Sequence, residues 1–214
     1  SVDPGDLNVV VTYNGAASLP VNTGMYTVTA RVEEARYAGE AVAWMTIRRG
    51  EDVLVFGATN QMYNGAARTV TVASAQSQPV TVTYNGAATP PTNAGVYAVT
   101  GVVDSLNWQA VQSAALTVAQ ATQAISFALA SPVYWTNAVQ LSATAGSGLP
   151  VVFSVVAGSA TLTGGTTLTF QAVGEAQIKA EQSGDANWAA ASQVVRGVQA
   201  SGPVLTVLGT NGET

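Results

Sequence analysis

The sequence contains no cysteine and no histidine. Without cysteine there are no disulfide staples and no thiolate metal sites. Without either residue, Ser-His-Asp and Cys-His nucleophile systems and the usual zinc ligands are excluded. Charge is also scarce: charged residues make up 9% of the chain, against roughly 25% in an average soluble protein. Thr, Ser, Asn and Gln must therefore cover most of the solvent face. Lys179 is the sole lysine, so a Lys-Asn cross-link has one available site, and alternation with Ile178 turns that lysine away from the buried face.

Long apolar runs are missing as well. Thr, Asn, Gly or Gln interrupts every stretch before it reaches the roughly 18 residues that a membrane span needs, and no membrane insertion is expected. Net charge is −5, and the seven Lys and Arg are scattered from Arg31 to Arg196. No basic stripe faces a phosphate backbone, so nucleic acid is not an expected partner. A chain that opens at Ser1 without Met reads as a piece of a longer protein, and the lack of a signal peptide at its start says nothing about export.

The chemistry that remains rests on carboxylates. A glycosidase needs two of them facing each other at roughly 5 to 9.5 Å. The close groupings are Asp3 with Asp6, Glu33 with Glu34, and Glu51 with Asp52; all fall in expected turns or linkers, where solvated charge is the plainer reading. No D-x-D-x-D-G run supplies calcium ligands. No catalytic, cofactor-binding or metal residues are assigned, no cofactor is expected, and ligand-binding residues stay open.

What the sequence does contain is an internal repeat, the feature to look for first. Val11 to Ala30, with its Tyr13-Asn14-Gly15-Ala16-Ala17 run, recurs as Val82 to Gly101 with Tyr84-Asn85-Gly86-Ala87-Ala88. Tyr13 falls on Tyr84, an offset of 71 residues, and the register holds without a gap through Ile47 and Val118. Projected backwards, the opening of the second copy, including Val53 to Phe56, has no counterpart after Ser1. The first copy is therefore expected to lack its first strands, leaving unpaired backbone groups and an open core face.

Between turn signals the residues alternate with period two. Val80, Val82 and Tyr84 share one face with Thr81 and Thr83 on the other, and Val151, Phe153 and Val155 repeat the pattern. Asn14-Gly15, Asn64-Gly65, Asn85-Gly86, Pro90-Pro91 and Gly164-Gly165 punctuate the strands. No segment carries apolar residues at helical spacing over three turns. The expected fold is all-β: tandem immunoglobulin-like β-sandwich modules with almost no helix. Gly24-x-Tyr26-x-Val28 and Gly95-x-Tyr97-x-Val99 have the layout of immunoglobulin strand F, in which a tyrosine hydroxyl bonds backbone at the corner entering the strand. Plain core packing of Tyr26 and Tyr97 is the other reading. In the third unit Ala176 stands where the tyrosine would be.

Asp104-Ser-Leu-Asn-Trp108 and Asp185-Ala-Asn-Trp188 share Asp, Asn and Trp just after that strand. Two oxygens brought together for a cation are one reading; the simpler one is a turn in which Asp and Asn bond local backbone and Trp covers the sandwich end. Trp44, Trp108, Trp135 and Trp188 likewise have two readings, sugar stacking on an exposed face or packing over a core.

The Tyr-Asn-Gly-Ala-Ala turn, the Pro-x-Asn-x-Gly-x-Tyr-x-Val-Thr blocks (Pro20 to Thr29, Pro91 to Thr100) and the closing strands at Ala43 to Ile47 and Ala114 to Val118 resemble the MBG repeats of large bacterial adhesin-type proteins. Residues 121–200 resemble a different bacterial immunoglobulin-like module, through Ser147 to Ser154, Gly165 to Phe170 and Gln182 to Ala190. Pro203 to Gly212 resembles the opening strand of a further β domain. The resemblance implies an MBG-like repeat lacking its first strands (1–49), a complete one (50–120), a bacterial immunoglobulin-like module (121–200) and the first strand of a following domain (201–214).

It further implies a non-catalytic structural or adhesive segment, a stalk or adhesion array, at the bacterial cell surface or outside the cell, with a surface glycan or protein as partner. Two alternatives stay open: a carbohydrate-binding or accessory module of a secreted enzyme, and an assembly subunit in which Val204 to Leu208 of one copy adds to the open strand edge of the next. With linkers at about Arg49 to Asp52 and Ala119 to Ala124, neighbouring modules of a spacer array are expected to touch little.

Overall fold

The computed structural model describes residues 7–202. Asp3, Asp6 and the strand expected at Val204 to Leu208 lie outside these residues. The fold is all-β, and the described residues contain no helix. They fall into two compact units: one draws on residues up to 60, on 67–91 and on 96–117, the other on 61–66, on 92–95 and from 118 onwards.

In the first unit, the first repeat is a three-stranded antiparallel sheet of β1 (Val9–Tyr13), β2 (Gly24–Glu34) and β3 (Tyr37–Ile47), in that order. Tyr13 pairs with Val28 and Val11 with Ala30, while Val28 faces Ala43 and Tyr26 faces Met45. One face of this sheet thus carries the apolar alternation read from the sequence. None of the first repeat's described residues is fully buried.

The second repeat adds layers. Its strands are β4 (Gly50–Glu51), β5 (Leu54–Gly57), β6 (Asn60–Met62), β7 (Thr71–Ser74), β8 (Thr81–Tyr84), β9 (Gly95–Asp104) and β10 (Trp108–Ala119). One sheet has the order β4-β10-β9-β8, and β5 pairs with β7 in another. Leu54, Val103 and Ala110 are buried between them, packed by Phe56, Val72, Val80 and Trp108. Val99 and Leu116 are wholly buried; their counterparts in the first repeat, Val28 and Met45, are half-buried. The complete repeat also has the β5 and β7 pair, which has no counterpart among residues 7–49. Gly101 permits its close approach, because a Cβ there would lie 2.9 Å from Leu54 Cδ1 and 3.2 Å from Val72 Cγ1.

Both repeats use one hairpin signal. Asn14 and Gly15 have φ of 47° and 84°, and Asn85 and Gly86 the same values, the left-handed pair that a type I′ turn requires. Each asparagine then fixes the turn to the neighbouring strand: Thr27 N donates to Asn14 Oδ1 and Ala98 N to Asn85 Oδ1, both at 2.8 Å.

The second unit contains β11 (Ile125–Phe127), β12 (Val133–Tyr134), β13 (Val139–Gln140), β14 (Ala143–Ala145), β15 (Val152–Ala157), β16 (Ala160–Thr163), β17 (Thr167–Phe170), β18 (Gly174–Glu181) and β19 (Val194–Ser201). The sheets run β12-β19-β18-β15, β13-β17-β16 and β11-β14. Their inner faces close on Leu141, Leu168, Ile178 and Val198, with Phe127 and Phe153 rings 5.2 Å apart. Ala176 is buried in this core. Lys179 points out of it, as alternation predicts, and pairs with Glu181 at 2.9 Å.

Candidate functional site

The polar side chains with the longest reach gather on the Asp-Asn-Trp loops. In the first unit the loop between β9 and β10 brings Asn107 to the turn that precedes β2. Thr23 N donates to Asn107 Oδ1 at 2.9 Å, and Asn107 Nδ2 donates to Asn22 Oδ1 at 2.9 Å. Thr23 Oγ1 donates to Leu106 O at 2.7 Å. The accepting turn is itself fixed, since Tyr26 Oη donates to Asn22 O at 2.8 Å. That contact is the tyrosine corner, realised at Tyr26.

The chain between the two repeats is held against the same loop. Gly50 N donates to Asn107 O at 2.8 Å and Asp52 N to Gln109 O at 2.9 Å, in a short parallel pairing of β4 with β10. Arg49 Nε donates to Ser105 O at 2.8 Å, and its guanidinium also engages the Asp104 carboxylate. Trp108 packs across Gly50 so closely that a Cβ there would lie 2.5 Å from the indole. The expectation that neighbouring modules touch little therefore does not hold inside this unit; the segment expected to be a free linker is a paired strand.

The second unit repeats the arrangement. Ala94 N donates to Asn187 Oδ1 at 2.8 Å and Asn187 Nδ2 to Asn93 Oδ1 at 3.2 Å. Ala121 N donates to Asn187 O at 2.9 Å, and Gln120 Nε2 to Asp185 O at 2.7 Å. Asp185 behaves as the turn reading anticipates, accepting from Asn187 N and Trp188 N at 2.8 Å each. The asparagines do not: their side chains reach 84 and 93 residues back along the chain rather than to local backbone. Asn-x-Gly before the strand and Asn-Trp after it both recur in the sequence, but neither motif alone shows that the two are partners.

The carboxylates separate. Glu51 is exposed, with Gln109 Nε2 donating to it at 2.6 Å. Asp52, expected to be solvated, is 3% exposed. Burial raises its pKa, but the Ser74 hydroxyl and the amides of Val53, Gln76 and Ala75 outweigh that and hold it below the ordinary aspartate value. It serves as the acceptor that closes the start of β5 onto the turn after β7. Glu33 and Glu34 are exposed at the β2–β3 tip, where Asn8 N donates to Glu34 Oε1. Among the described residues no three acidic side chains gather as a metal site.

The tryptophans divide unevenly. Trp108 and Trp135 pack on cores, and Trp188 meets Tyr63 edge-on with centroids 5.8 Å apart. Trp44 does not cover a core: it is 70% exposed, on the outward face of the first repeat's sheet beside exposed Met25 and Val42. Its counterpart in the complete repeat, Ala115, is also exposed.

Tandem modules, two-layered in the complete repeat and in the one after it, with no helix among the described residues and a tyrosine corner opening β2, define this as a chain of immunoglobulin-like β-sandwiches. It belongs to the MBG domain family, whose model matches residues 2–51 and again 54–122; β11–β19 lie beyond both matches.

Solved structures similar to the chain include the following three. Immunoglobulin domains 1–4 of Sidekick-1 are 10% identical over 92% of this chain and 68% of that one, with a TM-score of 0.32. Surface layer protein SbsC, domains 4–9, is 13% identical over 94% of this chain and 40% of that one, at 0.25. The Bacteroides ovatus protein SGBP-B of a mixed-linkage glucan utilization locus, in complex with a mixed-linkage heptasaccharide, is 13% identical over 91% and 60%, at 0.23. No curated protein matches the chain.

Proposed function

We propose that the chain is a non-catalytic structural and adhesive segment of a large bacterial extracellular protein, a stalk or cell-surface adhesion array. It comprises an MBG repeat over 1–49, a complete one over 50–120, a bacterial immunoglobulin-like module over 121–200 and the start of a further domain over 201–214. The observation that carries this reading is the double MBG match, two copies of one module in immediate succession. Repetition of a small sandwich multiplies length and surface without building a cleft. The low-charge, Thr-rich surface supports an extracellular setting, and the expected partner is a surface glycan or protein.

The test is retention of the purified chain, coated on beads, by bacterial and host cell surfaces under flow, with the same chain assayed on polysaccharides. Retention without release of reducing sugar is expected. Sugar release by the pure chain would overturn the non-catalytic reading, and failure to be retained on any surface would remove adhesion and leave the spacer.

A second reading, a carbohydrate-binding module, is favoured by Trp44. An exposed indole flanked by Met25 and Val42 on a sheet face is the kind of surface on which a pyranose ring stacks. Trp44→Ala should abolish retention on a glycan array if this reading holds; unchanged retention would sink it.

A further inference from the structure

We propose that the Asn-Trp loop is the element through which one module grips the MBG repeat before it, and that its ligand is an Asn-x-Gly turn, taken by the main-chain amide before the glycine and by the side-chain oxygen of the turn's asparagine. Four parts recur. An asparagine side-chain oxygen takes the amide of the residue before the strand's first glycine, Thr23 or Ala94. The same asparagine's Nδ2 donates to Oδ1 of the turn's asparagine, Asn22 or Asn93. Its main-chain oxygen takes the amide of the intervening segment, Gly50 or Ala121. One residue earlier, Arg49 or Gln120 reaches a carbonyl inside the loop. The residues on both sides of each contact other than the loop are offset by 71 positions, so the likeness follows the repeat.

The chemistry explains why asparagine is used. Its amide carries an acceptor and a donor on one short, stiff stem, matching an outward N–H beside an outward carbonyl oxygen. Aspartate keeps the acceptor but sets a second oxygen against Asn22 Oδ1; leucine leaves both partners unpaired. The bonded backbone amide is available whatever the side chain at that position, which is Thr in one instance, where the hydroxyl adds a bond to Leu106 O, and Ala in the other.

The same rule marks where the grip is not made. Arg36 occupies the position of Asn107 in the first repeat, and Ala172 occupies the position of Asn22 in the third module. Each of these lacks its half of the pair. The first repeat has most to gain from the contact, because none of its described residues is fully buried and local stability tracks buried apolar packing.

Amide hydrogen exchange on the full chain tests this, comparing the parent with Asn107→Ala and Asn187→Ala. In Asn107→Ala, exchange at Thr23 should accelerate at least tenfold, and at Val28 and Thr29 in β2 as well, while Ala94 keeps its protection. Asn187→Ala should reverse the pattern, exposing Ala94 and sparing Thr23. Protection at Val99 in the complete repeat serves as the folding control in both variants. Unchanged exchange at Thr23 and β2 in Asn107→Ala, or equal loss at Thr23 and Ala94 in both variants, overturns the proposal.

Discussion

Tyr84 Oη accepts the amide of Val70 at 2.9 Å in a buried setting, whereas Tyr13, its counterpart one repeat earlier, is only half-buried. The two tyrosines share a turn: each donates its amide to the alanine three residues on at 2.7 Å. They differ in what lies over the ring. Tyr84→Phe leaves a buried N–H without its acceptor, which costs about 1–3 kcal/mol. Tyr13→Phe should change stability by less than about 0.5 kcal/mol, as surface substitutions do. Urea unfolding of both variants, at unchanged m-value, checks the contrast.

Gly101 gives a second contrast between the repeats. A larger residue there meets Leu54 and Val72 across the sandwich, and overpacking of this kind costs roughly 1–3 kcal/mol. Gly101→Val should lower the thermal midpoint clearly. Ala30→Val, at the equivalent position of the open first sheet, should have little effect.

Asp52 makes stability depend on pH. Its carboxylate is favoured in the folded protein by Ser74 and three amides, so its folded pKa lies below its unfolded one. The contribution is present above the unfolded value and is lost as pH falls through the folded value. Stability should therefore decline on the acid side of the ordinary carboxylate range. In Asp52→Asn that part of the decline should disappear, and pH-resolved denaturant titrations of the two proteins read the difference.

Arg49 and Gln120 hold equivalent positions, yet only the first is charged. The Asp104 side chain it meets is 76% exposed, and exposed pairs are worth roughly 0–1 kcal/mol. Arg49→Gln should thus be nearly silent, because the bond to Ser105 O remains within reach of a glutamine amide. Arg49→Glu loses that donor and adds repulsion with Asp104, and it should destabilise the first repeat more than the second. Amide hydrogen exchange in β2, set against exchange in β9, reports on the first repeat.

Much of this was legible in the sequence because it is local or periodic. Alternation placed Val82, Tyr84 and Phe153 on inner faces, Asn14-Gly15 and Asn85-Gly86 set the I′ turns, and the Gly-x-Tyr spacing pointed to the corner that Tyr26 makes. What escaped depends on partners distant along the chain. Asp52 looks like a linker charge until Ser74 and the turn after β7 fold back on it. Trp44 looks like a core cap until pairing with Thr27 puts it on the outward face. Asn107 looks like a turn residue, and nothing local reveals that its amide is directed at Thr23.

Thr23 and Ala94 are both taken hold of by their main chain. With Asn22 or Asn93 kept beside it, the residue held in that way can change its side chain while the main-chain attachment persists, so the chemistry displayed at that one position is open to change independently of assembly. Variation concentrated at positions such as these would alter what the surface offers to the outside and leave the order of the modules untouched.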